Sequence, residues 1–488
     1  MRQLGERAVV LGASMAGLLA ARVLADFYQA VTVVERDVLP TDPVNRRGVP
    51  QGRMIHAVQT RGLQIMDELF AGLAHELEAG GAATWDGRDF SKFRVSVGGY
   101  RLGQLTSLPN PQPMSVAFPS RRFLEWSVRH RVRAIPNVTI LEGHDLTGLT
   151  ATADRDRVTG VRMVSRGSGT EGTLTADLVV DATGRGSRTP IFLEELGYGR
   201  PPQDELMVHL AYACQLVRIA PGALDAHMIA VTPEPGRPTM FGVIGYENNT
   251  GMFAVGTMAG LQPPSTRAEM LDFAADLASP QVLKALREAE PLEDVGHYRV
   301  PSNRWRRYDK MRRTPDGLLV IGDAICSFNP IYGQGMTVSA IEASVLRDCL
   351  RGGERNLPRR FFRASSKHVR VAWQTAVGSD LALSEVAGRR PFSMRITNAY
   401  LQRVLMASEA DAAVAGQFFR VIGMIDSPVH LMRPGFMLRV ARANRRRKTD
   451  GLPSCGAAGS PGTSNQTRVL TDTQTLRHTA LRKPDPTP

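Results

Sequence analysis

A glycine-rich turn near the start of the chain constrains the fold more than any other feature. Residues 12–17 read GASMAG and follow a short apolar run that ends at Leu11. A helical apolar stretch follows over residues 18–24, and a β-branched run over residues 31–34 ends at Glu35. Strand, glycine turn, helix and strand in this order predict a βαβ unit of the dinucleotide-binding type.

Each position of this turn has a physical task. Gly12 makes the tight turn and Gly17 lets the helix pack closely on the strand, while Ser14 replaces the usual middle glycine with the next smallest useful side chain. Glu35 stands where a carboxylate accepts hydrogen bonds from an adenosine ribose. Arg36 alone would favour a 2′-phosphate, but Glu35 argues against one. An adenine dinucleotide is therefore predicted to contact Gly12, Ala13, Ser14, Met15, Ala16, Gly17, Glu35 and Arg36.

A second glycine-rich segment indicates which dinucleotide binds. Residues 318–343 read LLVIGDAICSFNPIYGQGMTVSAIEA: a buried strand, Asp323, a loop with Pro330 and Gly333, and a helix from about Gly335. An aspartate at a strand end can bind polyol hydroxyls, and a helix N-terminus can face an anionic ring edge. A reduced flavin carries negative charge at such an edge, so the pattern favours FAD.

The two motifs together resemble the FAD-dependent monooxygenases of the para-hydroxybenzoate hydroxylase fold. GDAICSFNPIYGQGMTV is most similar to the squalene-epoxidase-like and bacterial polyether-epoxidase branch of that superfamily. Three further stretches share the resemblance: RRGVPQGR at residues 46–53, the segment 120–126, and DATGRGS at residues 181–187. The resemblance spans about residues 5–440.

The resemblance implies roles for individual residues. Arg121 would contact the pyrophosphate or ribityl side, Leu146 would offer backbone to adenine, and Asp323 would bind the ribityl chain. His56 is a weak candidate for a catalytic role, and relatives often have histidine where this chain has Met54. The remaining implied cofactor contacts are Arg46, Arg53, Pro330, Gly333, Gly335 and Met336.

The predicted fold is α/β, with a Rossmann-like FAD-binding domain of the glutathione-reductase type. An antiparallel β-sheet substrate domain is inserted into it, and a helical region follows. The expected bounds are 1–200 and 301–357 for the two parts of the FAD-binding domain, 201–300 for the substrate domain, 358–441 for the helices and 442–488 for a disordered basic tail.

The resemblance also implies the reaction. A flavin hydroperoxide formed with O2 would transfer one oxygen atom to a largely apolar substrate of secondary metabolism. An alkene needs no proton removed, whereas a phenol profits from a base, and no His/Asp/Tyr cluster stands out in the sequence. Epoxidation of a C=C bond is therefore predicted, with an aromatic hydroxylase or a geranylgeranyl-reductase-like enzyme as alternatives. Candidates for the substrate wall are Met207, Tyr212, Met240, Phe241 and Phe253.

Composition limits the partners. FAD takes the only complete dinucleotide fingerprint, so reducing equivalents are expected from NAD(P)H directly or through a flavin reductase or redox partner. The net charge is +13, yet only six of the 60 basic residues are lysine and nine basic residues lie after residue 441, so nucleic-acid binding is not expected. Four scattered cysteines predict no metal site and a cytoplasmic location. No apolar run reaches the length of a membrane helix, so no integral membrane association is expected.

Overall fold

The computed structural model describes residues 3–102 and 114–449, with side chains up to residue 446. Its strands are β1 Gly5–Leu11, β2 Tyr28–Val34, β3 Ala83–Trp85, β4 Phe93–Val97, β5 Tyr100–Leu102, β6 Val116–Phe118, β7 Val138–Leu141, β8 His144–Ala151, β9 Val158–Ser165, β10 Glu171–Thr175, β11 Leu178–Asp181, β12 Gln203–Arg218, β13 Met228–Val231, β14 Thr239–Gly245, β15 Thr250–Thr257, β16 Glu290–Pro291, β17 Gly296–Arg306, β18 Leu318–Val320 and β19 Cys326–Ser327. Its α-helices are α1 Met15–Leu24, α2 Thr60–Leu69, α3 Leu73–Ala79, α4 Arg121–Arg133, α5 Thr189–Glu195, α6 Arg267–Ala275, α7 Pro280–Glu288, α8 Gly335–Arg351, α9 Leu357–Asp380, α10 Phe392–Ser408, α11 Ala412–Ile422 and α12 Pro434–Thr449.

A parallel sheet in the order β18-β11-β1-β2-β7 forms the centre of the cofactor-binding part. Val10 in β1 lies between Val33 of β2 and Val180 of β11, and all three side chains are buried. Parallel strands end at one edge of their sheet, so the segments that follow β1, β2, β11 and β18 meet there. The predicted α/β fold with its N-terminal βαβ unit is confirmed.

A second, larger sheet runs in the order β19-β17-β12-β15-β14-β13-β4-β5, with β16 pairing to β12. The long strand β12 pairs antiparallel with β15 and β17, as predicted for an antiparallel sheet. The sheet reaches beyond residues 201–300, because β4 and β5 join it and β17 continues to Arg306. One link departs from the expectation, since β13 and β4 pair in parallel.

The two faces of this sheet pack against different helices. Phe241 and Phe253 pack with α6 and α7, whereas Tyr212 and Met240 pack with the C-terminal helices. Successive side chains of a strand alternate between the faces, which separates Met240 from Phe241. The group proposed from sequence as one substrate wall is therefore split. Met207, the fifth member, is exposed.

The prediction of a disordered tail from residue 442 is wrong for its first eight residues, which are helical. Helix α12 continues through residues 442–449, because Val440 and Ala443 lie three residues apart on one helical face and are only 2% and 7% exposed. Residues 450–488 lie outside the described part of the chain. Within the residues that are described, no helix is long and apolar enough to cross a membrane.

This packing predicts the result of two changes at the C-terminus. A chain ending at Thr449 should keep the melting temperature and flavin content of the full chain. Val440→Asp should lower the free energy of unfolding by about 3 kcal/mol, because it places a charge among buried apolar side chains. Thermal unfolding and the absorbance of bound flavin measure the first effect, and urea unfolding measures the second. Ala441→Asp, at the exposed neighbouring position, is the control, and an equal loss in both variants would contradict the packing assigned to α12.

Candidate functional site

The turn after β1 is held by backbone constraints at two glycines. Gly12 has a φ of +97°, and a Cβ there would lie 2.9 Å from the carbonyl oxygen of Ala182. A Cβ at Gly17 would lie 1.8 Å from the carbonyl oxygen of Gly12. Any side chain at either position would force the turn apart. Ser14 stands at the N-cap of α1 with extended backbone, and its side chain does not cap the helix.

Glu35 joins the end of β2 to this turn. Its buried carboxylate accepts hydrogen bonds from the backbone N–H groups of Ala13, at 2.7 Å, and Asp37, at 3.0 Å. The predicted position of Glu35 at the strand end is therefore correct, and the carboxylate also fixes the first residues of the turn. Its predicted contact with a ribose stays a prediction.

Arg46 lies in a cluster of buried carboxylates. Its guanidinium is 2.7 Å from Glu125, 3.0 Å from Asp37 and 3.3 Å from Glu35, and it also donates to the carbonyl of Ala13. Burial opposes its charge, but Glu125 and Glu35 outweigh burial and raise the pKa of Arg46. The sequence predicts a direct cofactor contact here, and the structure adds a second task, since Arg46 joins three segments around the turn.

Arg121 faces the same turn from the first residue of α4. It donates to Ser14 Oγ at 2.8 Å and to Glu125 Oε2 at 3.1 Å. Its Nε is buried and has no hydrogen-bond partner among the described residues. This donor is buried beside a helix N-terminus and is suited to bind a phosphate oxygen. A guanidinium group binds phosphate through two of its N–H groups at once.

Asp323 lies close to two other glycine turns, at Gly184 and Gly322. Gly322 has a φ of +68°, and a Cβ there would lie 2.7 Å from the Cβ of Ala16 in α1. Cβ atoms built at Gly184 and Gly335 would lie 4.0 Å and 3.7 Å from Asp323 atoms. The structure thus brings together the turns after β1, β11 and β18, and the accessible carboxylate of Asp323 lies among them.

The segment before α8 carries the predicted flavin contacts. Pro330 and Gly333 are exposed, Gly335 and Met336 are half-buried in the first turn of α8, and Gly333 has a φ of +65°. Gln59 donates to the carbonyl of Tyr332 at 2.9 Å. The side-chain oxygens of Gln59 and Gln334 are buried and have no partner among the described residues.

Three further residues are predicted to contact the cofactor: Arg36, Leu146 and Arg53. Arg36 is exposed, 3.8 Å from Asp145, and lines a cleft of about 550 Å³ together with Arg46 and Arg47. Leu146 is in β8, next to Asp145. Arg53 is exposed in a turn whose Gly52 faces Arg121, with 3.9 Å from a Cβ built on Gly52 to Arg121 Cγ.

These residues fit FAD. The orphaned donor of Arg121 lies beside the helix N-terminus where a pyrophosphate binds, and the orphaned oxygens of Gln59 and Gln334 lie beside the loop predicted to hold the ring. Glu35 is at the adenosine end and Asp323 is between the glycine turns. These side chains are candidate partners for the pyrophosphate, the adenosine ribose, the ribityl chain and the flavin ring.

His56 is half-buried beside this region. Its backbone N–H donates to the hydroxyl of Tyr246 at 2.8 Å, and its Nδ1 is 2.9 Å from the carbonyl of Met54. A carbonyl only accepts, so we assign the proton to Nδ1. Desolvation, helped by the charge of Arg121, lowers the pKa of His56 to about 4. The ring is therefore neutral at pH 7, and its predicted catalytic role stays a prediction.

A buried carboxyl that the sequence does not reveal lies next to the flavin loop. Asp380, at the end of α9, accepts hydrogen bonds from Asn303 at 2.6 Å, from the hydroxyl of Tyr332 at 2.7 Å and from Asn329 at 2.8 Å. No ion pair is formed by Asp380 in the described part of the chain. Burial, only partly opposed by these hydrogen bonds, raises the pKa of Asp380 to about 6.

Comparison with known proteins identifies the family. The sequence pattern of the FAD binding domain family matches residues 6–352. The chain belongs to this family. Protein Rv3254 of Mycobacterium tuberculosis is 36% identical over 431 residues, which cover 86% of this chain and 90% of that protein.

Two further similarities extend this result. Kynurenine 3-monooxygenase of Salinispora tropica is 27% identical over 373 residues, covering 72% of this chain and 74% of that enzyme. The crystal structure of a flavoprotein/dehydrogenase from Cytophaga hutchinsonii superposes with a TM-score of 0.64 at 14% identity, covering 91% of this chain and all of that one. Membership of the FAD binding domain family confirms the predicted flavoprotein fold and, at the level of the family, the predicted FAD-dependent monooxygenase type of enzyme.

The unpaired donor of Arg121 predicts a loss of cofactor affinity. Arg121→Gln should lower the FAD content of the purified protein and raise the Kd for FAD by at least tenfold, because a charged donor to a phosphate is worth more than 1.4 kcal/mol. Titration of the apoprotein with FAD measures this. Arg122→Gln removes the neighbouring arginine, which faces Glu293 instead, and should bind FAD normally. Equal affinity of the two variants would refute the assignment.

The raised pKa of Asp380 predicts how stability depends on pH. Below about pH 4 the carboxyl is protonated in both states. As the pH rises to about 6, the unfolded chain loses its proton first, so Asp380 lowers the free energy of unfolding by on the order of 3 kcal/mol. Asp380→Asn should remove this fall, and the variant should gain stability relative to the natural chain between pH 4 and pH 7.

Urea unfolding at several pH values measures the difference. Asp348→Asn is the control, because Asp348 is exposed in α8, 3.1 Å from Arg351. A stability difference between Asp380→Asn and the natural chain that stays constant across this pH range would contradict the raised pKa.

Proposed function

We propose that this enzyme is an FAD-dependent monooxygenase that transfers one atom of O2 to a largely apolar substrate, most readily as an epoxide at a C=C bond of a polyketide or isoprenoid. Bound FAD supplies the electrons and activates O2. The chain's own residues hold the cofactor, shape the chamber and exclude water.

The neutrality of the chamber wall supports epoxidation. Met54 packs against Cys214, with 3.7 Å between the two sulfur atoms, and Tyr246 holds the backbone of His56. Burial raises the pKa of Cys214 to about 12, while the pKa of His56 is lowered to about 4. These groups are uncharged near pH 7. An alkene suits such a wall, because oxygen transfer to it requires no proton removal.

The packing of this wall would exclude water from a bound substrate. Met54 and Cys214 belong to an apolar cluster in which Tyr212 and Met240 of the large sheet pack against the C-terminal helices. The buried side chains of this cluster are apolar and do not attract water. A neutral, electron-rich substrate would be held by shape and apolar contact.

Aromatic hydroxylation is a second candidate, and a different observation favours it. Tyr332 belongs to the loop predicted to hold the flavin, and its hydroxyl donates to Asp380. A carboxyl with a pKa of about 6 has the strength of a general base near neutral pH. Deprotonation of a phenol through this pair would activate the ring. The similarity to kynurenine 3-monooxygenase, whose name denotes a monooxygenase, agrees with either candidate.

The proposal also covers the source of the electrons that reduce FAD. The fingerprint at residues 12–17 is assigned to FAD, so a nicotinamide would dock only transiently. We favour a separate cytoplasmic flavin reductase or redox partner over direct use of NAD(P)H. Reduction of the bound FAD by NAD(P)H alone, at the rate of turnover, would contradict this choice.

Oxygen labelling tests the reaction. The bound FAD is reduced without oxygen, a polyene or a prenylated compound is added, and labelled O2 is admitted. One labelled oxygen in an epoxide supports the proposal, and one in a phenol supports the second candidate. Saturation of the double bond before oxygen is admitted would overturn both in favour of a double-bond reductase.

The variant Asp380→Asn separates the two oxygenation candidates. Epoxidation should keep the shape of its pH profile, because no proton is taken from the substrate, and any change in rate should be the same at every pH. Hydroxylation should lose at least tenfold in kcat and the limb of its pH profile near pH 6. Unchanged hydroxylation in the variant would exclude the Tyr332–Asp380 pair as the base.

A further inference from the structure

Exposed apolar side chains are concentrated in the C-terminal helices. Phe392 is 74% exposed and Val429 is 68% exposed, although both are large and apolar. We call the following residues of α10, the turn Pro428–Met432 and α12 the apolar strip: Phe392, Ile396, Val429, Met432, Met437 and Leu438. A surface that faces only water rarely keeps so many such side chains in one region.

Contacts between the three elements hold the strip together. Phe392, Ile396 and Tyr400 are four residues apart and share one face of α10. The hydroxyl of Tyr400 donates to the carbonyl of Leu431 at 2.5 Å, next to Met432. Helix α12 is fixed to α10 by a hydrogen bond of 2.9 Å from Asn444 to the carbonyl of Arg403. The residues of the apolar strip therefore lie on three elements that contact one another.

Positive charge surrounds the strip. Residues 389–449 contain twelve basic and three acidic residues, so this region carries most of the chain's net charge of +13. All three acidic side chains have partners: Asp411 and Asp426 pair with Arg439 and Arg420 at 2.8 Å, and Glu409 accepts the backbone N–H of Arg101. Exposed arginines near the strip are Arg389, Arg395, Arg433 and Arg442.

The inner face of the same helices covers the proposed substrate chamber. Val404, Phe418 and Val440 are buried in the apolar cluster that includes Tyr212 and Met240 of the large sheet. The apolar strip therefore lies on the outer side of the helices that pack on this cluster.

We propose that the apolar strip docks on an anionic lipid bilayer. Its apolar side chains would enter the boundary between headgroups and acyl chains, and the arginines would lie on lipid phosphates. A second copy of this chain is a poorer occupant, because two positively charged strips would repel each other. Uptake of an apolar substrate from the bilayer rests on the proposed function, whereas binding to the bilayer does not.

Sedimentation with vesicles tests this proposal. The full chain, loaded with FAD, should bind phosphatidylcholine vesicles that contain phosphatidylglycerol, and raised salt should weaken the binding. The double variant Phe392→Ser, Ile396→Ser should lower partitioning on the order of tenfold. Arg395→Gln and Arg433→Gln should each lower it about fivefold. Ile191→Ser with Leu261→Ser, two exposed apolar residues elsewhere, is the matched control and should bind like the natural chain.

Several outcomes would overturn the proposal. Equal sedimentation of the natural chain and the strip variant is one, and equal binding to vesicles without phosphatidylglycerol is another. Binding to DNA or to an acidic protein, without vesicle binding, would assign the surface to that class of partner. A dimer that becomes a monomer in the strip variant would assign it to a second copy. Turnover of a water-soluble substrate should not change in the strip variant, so failure of the proposed reaction would leave the vesicle result intact.

Discussion

The cluster of buried charges around Arg46 is the interaction on which the cofactor site depends. Arg46, Arg121 and Arg129 face Glu35, Asp37 and Glu125, so three positive charges balance three negative ones. Buried charges are tolerated only when each has partners, so no member can be removed without leaving another uncompensated. The cluster joins the end of β2, the segment 46–53 and α4 to the turn before α1. Its geometry fixes the N-terminus of α1, where a pyrophosphate is predicted to bind.

The sequence predicts local parts of this site well and distant parts poorly. The roles of Gly12, Gly17 and Glu35 follow from a tight turn between neighbouring elements, so spacing along the chain is sufficient to find them. The cofactor contact predicted for Arg46 stays a prediction, and its carboxylate partners come from two separate segments, the end of β2 and α4, which spacing along the chain does not show to be close. Asp380 is missed for the same reason, because it is 48 residues from Tyr332 and ends a helix of ordinary composition. Contacts of long sequence separation are set by packing of whole elements.

Two further differences between prediction and structure arise because the hydrophobic periodicity of a sequence does not specify how its helices and strands pack. Alternation correctly predicts strands in the region 201–300, but it does not say which face of the sheet meets which helices. Phe241 and Met240 therefore belong to different cores. At the C-terminus, the arginines of α12 obscure two small buried positions, Val440 and Ala443, and the helix extends into the predicted tail. A short apolar face within a basic helix is therefore missed when the segment is judged by its composition.

The distribution of charge links the cofactor site to the chemistry. Buried ion pairs are concentrated where phosphate must be held, and positive charge is concentrated on the outer face of the C-terminal helices. Between these regions, the side chains proposed to line the substrate chamber are neutral, apart from Asp380. Among the described residues no cation pairs with its carboxyl, so a nearby proton donor or acceptor shifts its protonation state near neutral pH. A substrate without an acidic group leaves Asp380 as a hydrogen-bond acceptor that positions Tyr332 and the flavin loop. In the proposed reaction, a phenolic substrate would use the same carboxyl as a base, so the proposal links the type of reaction to the acidity of the substrate.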